Sequence, residues 1–209
     1  MSRPLLITDC DEVLLHMVVP FAEWLDEEHE IHFDLESGDF ANALRRRAGG
    51  ELVAGEDIWP LLTGFFKTEM HRQKPIVGAV ESIAALSALA DIVVLTNLTD
   101  NVRDARAEQL RAVGIDKPVY TNQGGKGEAM RRILDTYKPS VAVFVDDLAH
   151  QHESIAEHAP EVWRLHMVGE PRLAPHIKTS AKAHSRIDHW AGARSWITDR
   201  FAEGQTHGA

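Results

Sequence analysis

The chain is predicted to be an α/β protein with a central parallel sheet flanked by helices, and three observations carry that prediction. Short runs rich in Val, Ile or Leu recur at Pro4–Thr8, Ile92–Thr96, Pro118–Thr121, Val141–Val145 and Val162–Val168. Near-continuous apolarity over so few residues is the pattern of strands buried on both faces, as parallel strands are. Helix-like stretches lie between these runs, and that alternation is how βαβ units read in a sequence. The third observation is a break in the rhythm from His16 to Lys74, where only helical patterning continues.

The elements follow in order. Pro4–Thr8 is the first strand and runs directly into acids. Helices are then expected at Val19–His29, Asp39–Arg47 and Asp57–His71, with loops at Glu36–Gly38 and Gly49–Gly55. Pro60 is expected in the first turn of the last of these, where proline is tolerated. An insertion of about 60 residues is too long for a βα loop. Residues 16–75 are therefore read as a small all-helical cap, and residues 1–15 with 76–209 as the core domain. Beyond it, Ala79–Leu89 carries Val80, Ile83, Leu86 and Leu89 at three-residue spacing, and Val102–Val113 and Glu128–Tyr137 are similarly patterned. Asp188 is expected to cap a final helix, His189–Phe201.

Composition narrows the function. With 209 residues, 44% hydrophobic and 26% charged, the chain can bury one core and a small appended domain. Its 22 basic and 32 acidic residues give a net charge of −10, which disfavours nucleic acid or an anionic membrane as a partner. A small phosphorylated substrate is still allowed, because a local cation can reverse the field in one pocket. Cys10 is the single cysteine, so no intrachain disulfide exists and a reducing compartment fits. The apolar stretch Leu5–Ile7 is too short for a signal peptide or a membrane span, and the expectation is a cytoplasmic protein.

Four motifs bear chemical groups. The first strand ends in Asp9-Cys10-Asp11-Glu12, and alternation would put Asp9 and Asp11 on one side with Cys10 on the other. The second is Thr96-Asn97 after Ile92–Leu95; the third is Lys126, between Gly124-Gly125 and Gly127 at a helix start, where an anion can be held. The fourth is Asp146-Asp147 closing an apolar strand, an unfavourable pair unless a cation or donors collect there. Each of the first three, taken alone, is better read as turn residues or solvated charge. Together, in this order at strand ends where α/β sheets bind ligands, they define a candidate site.

The ordered set Asp-x-Asp, Thr, Lys and Asp-Asp, from Leu5 to about Trp163, resembles the haloacid dehalogenase (HAD) superfamily of phosphohydrolases, as does the insertion at the place of its C1 caps. The resemblance implies a Rossmann-like HAD core and a Mg²⁺-dependent phosphatase acting through an aspartyl phosphate. It implies Asp9 as nucleophile and Asp11 as acid and base, with Thr96, the backbone N–H of Asn97 and Lys126 on the phosphoryl group. It also implies Mg²⁺ ligation by Asp147, the Asp9 carboxylate and the Asp11 backbone carbonyl, with Asp146 as an auxiliary ligand. The family's metal-free dehalogenases lack the second aspartate, so Asp11 favours phosphoryl transfer. A phosphotransferase or phosphomutase would share every one of these residues. A receiver-type phosphate-sensing module, the reading from a different class, is smaller, has no such cap and orders its Lys after its Thr on the last strand.

Two positions depart from the family pattern. Glu12 stands where Gly is usual, implying a stiffer hinge and an acid near the pocket mouth, and Lys126-Gly127 replaces a frequent Lys-Pro. In the insertion, Ile58, Leu61, Leu62 and Phe65 form one helical face, while His16, Trp59 and Phe66 lie off it and are candidates for substrate contact, as is Glu12. His150-Gln151-His152 invites a zinc reading, but a helix there would separate the imidazoles and no third ligand has suitable spacing.

Overall fold

The computed structural model describes residues 2–37 and 42–204. Its centre is a six-stranded sheet in the order β5-β4-β1-β6-β7-β8, every neighbouring pair parallel. The strands are β1 Leu5–Thr8, β4 Asp91–Thr96, β5 Val119–Thr121, β6 Ala142–Asp146, β7 Trp163–His166 and β8 Ser185–Arg186. The helices of this layer are α3 Ala79–Ser87, α4 Arg103–Ala112, α5 Gly127–Tyr137, α6 Ala149–His158 and α7 Trp190–Glu203. Strand alternation divides the core into two. Leu6, Val94 and Val143 pack with Ile83, Leu110 and Ile197 on the face of α3, α4 and α7. Leu5, Ile7, Val93 and Phe144 pack with Met130, Ile133 and Ile155 on the face of α5 and α6. With both faces covered, these strands have no polar side to display, which is why they read as apolar runs.

Between β1 and α3 the chain forms α1 Val18–His29, β2 Ile31–Phe33, β3 Leu44–Arg46 and α2 Gly55–Thr68, followed by a short 3₁₀ turn at Met70–Arg72. The expected helix Asp39–Arg47 is corrected where it can be seen: 39–41 lie outside the described residues, and Leu44–Arg46 is a strand antiparallel to Ile31–Phe33. The insertion is therefore not all-helical. It has its own apolar cluster, centred on Phe21, Trp24, Leu44, Ile58 and Phe65, with Phe21 and Phe65 edge to face at 5.4 Å. Pro60 falls in the second turn of α2, not the first, because the helix begins two residues earlier than the pattern implied. The chain leaves and returns on paired backbone: His16 N–H donates to Lys74 O, and Ile76 N–H to Leu14 O, both at 2.9 Å. No helix among the described residues is long and apolar enough to cross a membrane.

At the other end, α7 is capped by His189, whose Nδ1 accepts from Gly192 N–H at 3.1 Å. Asp188, expected as that cap, instead accepts from Val168 N–H and the Arg186 guanidinium, joining the loop after β7 to β8.

Candidate active site

Sheet parity decides which carboxylates meet. Asp9 continues the side of Leu5 and Ile7, and Asp146 that of Ala142 and Phe144, so both point toward the face covered by α5 and α6. Lys126 at the start of α5 comes onto them, its Nζ 2.9 Å from Asp9 Oδ1 and 2.7 Å from Asp146 Oδ2. All three are buried. Burial works against the Lys126 charge, but Asp146 and Asp9 more than offset it and raise its pKa. Lys126 is held in turn by Gln151, which accepts from its backbone N–H at 2.9 Å and donates to Gly124 O at 3.1 Å.

Asp9, Asp146 and Asp147 bring carboxylate oxygens within 4.8 Å of one another. Burial, with Asp146 and Asp11 adding to it, lifts Asp9 to about 7 despite Lys126. Burial and the charges of Asp146, Asp9 and Glu12 hold Asp147 well above the ordinary carboxylate range. Asp146 is occupied on both oxygens, by Lys126 Nζ and by Leu148 N–H at 2.9 Å. The donor set is oxygen only and carries more negative charge than one lysine balances, which fits a hard divalent cation such as Mg²⁺. Two buried imidazoles steady the pair from behind. His152 Nε2 meets Asp146 O at 3.0 Å, and His166 Nε2 meets Asp147 O at 2.7 Å. Ser180 N–H donates to His166 Nδ1, so the Nε2 of that ring carries the proton. His150 lines the open cleft instead, and the two imidazoles of the His150-x-His152 pattern share no site.

The alternation expected for Asp9, Cys10 and Asp11 holds only in part: both acids line one cleft and Cys10 packs in the core, but Asp11 and Cys10 share a cation. The strand ends at Thr8, and the N–H groups of Leu14 and Leu15 both fold back onto Cys10 O, at 2.8 and 2.9 Å. At that turn Asp11 meets the same cation as Cys10. Arg106 Nη2 lies 3.0 Å from Asp11 Oδ1, and Arg106 Nη1 donates to Cys10 Sγ at 3.2 Å. Gln73 Nε2 donates to Asp11 Oδ1 at 2.7 Å. Burial raises the Cys10 thiol pKa far above its usual value, so it is a packed, un-ionised residue.

Glu12 is a second correction. Its carboxyl is not at the pocket mouth; it is 1% exposed, and Oε1 accepts from Met17 N–H at 2.8 Å and Val18 N–H at 2.6 Å. It thus caps α1 from five residues upstream, in place of a side-chain cap at Met17. Burial raises it to about 7 against the pull of those two N–H groups, and Oε2 has no partner. Its φ of +58° is in the left-handed region, where glycine is at ease and glutamate is strained. Gly169 secures that conformation by donating to Glu12 O at 2.6 Å.

Gly127 has a packing role at the start of α5. A Cβ there would lie 2.5 Å from His158 Nδ1 and 2.6 Å from Ser154 O, so α5 and α6 approach through it. Its N–H also donates to Ser154 Oγ at 2.9 Å, which a proline could not do.

A cleft of about 840 Å³ opens above the carboxylates. Asp9, Asp11, Asp147, Thr96 and Asn97 line its floor, and Trp59 and Phe66 of α2 line its wall. Thr96 is buried at the end of β4, and the Asn97 side chain is fixed by donating to Gly124 O at 2.9 Å and accepting from Asn122 Nδ2 at 2.9 Å. His16 is not in the lining; it pairs with Glu170 at 3.0 Å beside the linker. Sequence reasoning missed Arg106, Gln73, Gln151 and His166. A signal existed for the first: Val102, Arg106, Leu110 and Val113 fall at helical spacing, which puts an arginine in the middle of an apolar stripe.

Neither the protein-family models nor the curated proteins give a match. Solved structures do. A haloacid dehalogenase-like hydrolase from Streptococcus pneumoniae superposes with a TM-score of 0.66 at 11% identity, over 94% of this chain and 99% of that one. A protein described as a phosphoglycolate phosphatase, from Haemophilus somnus, gives 0.65 at 12%, with the same coverage. A magnesium-bound HAD-hydrolase from Bacillus subtilis gives 0.64 at 14%, again over 94% and 99%. The architecture is thus that of an α/β protein with its acids gathered at the carboxyl ends of a parallel sheet. More narrowly, it is the fold of the haloacid dehalogenase-like hydrolases.

Proposed function

We propose that the chain is a Mg²⁺-dependent phosphomonoester hydrolase of the HAD type that works through an aspartyl phosphate on Asp9. The observation that carries this reading is the convergence of Asp9, Asp146 and Asp147 on one point beside Lys126, at the floor of a cleft. Asp9, Asp147 and the backbone carbonyl of Asp11 would hold the cation, with Asp146 fixed behind them by Lys126 and Leu148. The cation, when bound, supplies charge neutralisation between the carboxylates and the phosphate and keeps Asp9 ionised at neutral pH.

The protein's own groups divide the remaining work. Asp9 attacks phosphorus and the leaving oxygen departs with a proton from Asp11; Asp11 then takes a proton from the water that hydrolyses the aspartyl phosphate. Thr96 and the Asn97 backbone N–H hold the phosphoryl oxygens, and Lys126 balances charge as it develops. A mutase reading shares these groups, and a structural neighbour from Bacteroides vulgatus, described as a β-phosphoglucomutase, has a TM-score of 0.58 at 14% identity. The hydrolase is favoured because the acceptor must reach Asp9 through a cleft whose walls are mostly apolar, which water enters more readily than a second polyhydroxylated sugar is held. The test is phosphate release from p-nitrophenyl phosphate with Mg²⁺. Turnover that is lost in Asp9→Asn supports the reading, and none in the wild type sinks it.

A further inference from the structure

The cleft above the carboxylates has walls that do not match its floor. Val18 of α1, Phe33 of β2, Trp59, Leu62 and Phe66 of α2, and Leu148 after β6 all line it. Trp59 is 71% exposed and Leu148 is 42% exposed, a considerable apolar surface to leave facing water at the rim of a charged site. The charged groups of the lining are as informative. Apart from the buried Glu12, among the described residues it holds four carboxylates, Asp9, Asp11, Asp34 and Asp147, against one lysine, Lys67 on the exposed side of α2. The nearby Arg106 is not available to a ligand, because it is fully buried under Phe66 and paired with Asp11.

We infer that the substrate is a phosphate monoester whose leaving group is an apolar alkyl or aryl body carrying no second anionic group. This rests on the phosphohydrolase reading and makes it specific. The occupant is set by continuity with the floor: the phosphate must reach Asp9 and Thr96, so the rest of the molecule lies along Leu62, Phe66 and Leu148. Laid along those three side chains, a sugar would set its hydroxyls against groups that cannot hydrogen-bond them; the polar Thr63, Asn101, Gln123 and His150 line other parts of the cleft. A bisphosphate or a phosphorylated carboxylic acid would bring a second anion into a lining that already presents four carboxylates. An alkyl or aryl body covers Trp59 and Leu148 and asks for no further cation.

The test uses straight-chain alkyl phosphates from ethyl to hexyl, whose leaving alcohols are nearly equal in intrinsic reactivity, with phosphoglycolate and fructose 1,6-bisphosphate alongside. In Mg²⁺, kcat/KM is expected to rise by roughly threefold to fourfold for each methylene buried. Hexyl phosphate is expected to exceed both substrates with an anionic body, and Trp59→Ala to flatten the slope. Calorimetric binding of ethyl- and hexylphosphonate gives a readout that needs no turnover. Hydrolysis that is independent of chain length, or that favours the bisphosphate, overturns the substrate class and leaves the hydrolase standing. Tighter binding of hexylphosphonate without hydrolysis of any ester does the reverse.

Discussion

Arg106 reaches both carboxylate oxygens of Asp11 through a single nitrogen, Nη2, at 3.0 and 3.2 Å. Phe66 lies over the same guanidinium at 5.5 Å, and Gln73 donates to the same carboxylate. Two residues of the insertion therefore touch the one ion pair that orients the proposed acid and base, so movement of the insertion and placement of Asp11 are linked through Arg106. Lysine keeps the charge but loses the planar fork that makes these contacts. Arg106→Lys is expected to lower kcat about tenfold with KM within about twofold, and Arg106→Ala to cost about 3–5 kcal/mol of stability by stranding a buried charge. Steady-state kinetics and urea unfolding separate the two effects.

Glu12 gives a prediction with a definite sign. Its ordinary pKa is 4.5 and its folded value is about 7. Between these the folded state holds a proton that the unfolded state has lost, so Glu12 makes stability fall as pH rises through that window, with no further change above it. Glu12→Gln keeps an oxygen for Met17 and Val18 and removes the titration. In EDTA, the variant is expected to gain on the wild type by ~2–3 kcal/mol from about pH 5 to about pH 8. Parallel stability curves would show that Glu12 is not buried as described.

His166 contributes to the acid limb of stability. Burial and the Arg186 charge lower His166 to about 4, so its contribution is full above the ordinary histidine pKa of about 6.5 and is lost as pH falls toward 4. His166→Gln is expected to flatten unfolding free energies across that interval, which pH-dependent urea melts would reveal.

Gly127→Pro, the sequence frequent in the resembled family, is expected to destabilise this chain by about 2–4 kcal/mol through overpacking against α6 and loss of the bond to Ser154. The melting temperature is the readout. A neutral outcome would mean that α5 and α6 do not approach through Gly127.

Chelation is expected to abolish activity, with Mg²⁺ restoring it and Ca²⁺ restoring less than about a tenth, because calcium's larger and looser shell misplaces the nucleophile. Equal rates in EDTA would remove the cation from the account and reopen a metal-free reaction.

Much of this was readable beforehand where one-dimensional pattern and three-dimensional position coincide. Asp9, Asp146 and Lys126 sit next to apolar strands or a helix start, so the sheet places them. Asp11 was located but its pairing was not, because alternation stops where the backbone folds onto Cys10 O. The strands Ile31–Phe33 and Leu44–Arg46 are three residues each, too short for periodicity to separate from helix. Leu-Arg-Arg also scores well as helix by propensity, and the pairing with Ile31–Phe33 overrides it. The left-handed turn at Glu12 left no mark except the absence of the glycine that the resemblance led one to expect. Arg106 was legible only as a charge in the wrong place on α4.

The central claim is that Asp9 becomes phosphorylated. The direct measurement is rapid acid quench of the enzyme turning over an aryl phosphate with Mg²⁺, followed by peptide mass spectrometry, in the wild type and in Asp11→Asn. The account predicts one phosphoryl group on the peptide carrying Asp9, transient in the wild type and accumulating in the variant, where no base activates water. Turnover with no adduct in either protein, or an adduct that persists in Asp9→Asn, would contradict it.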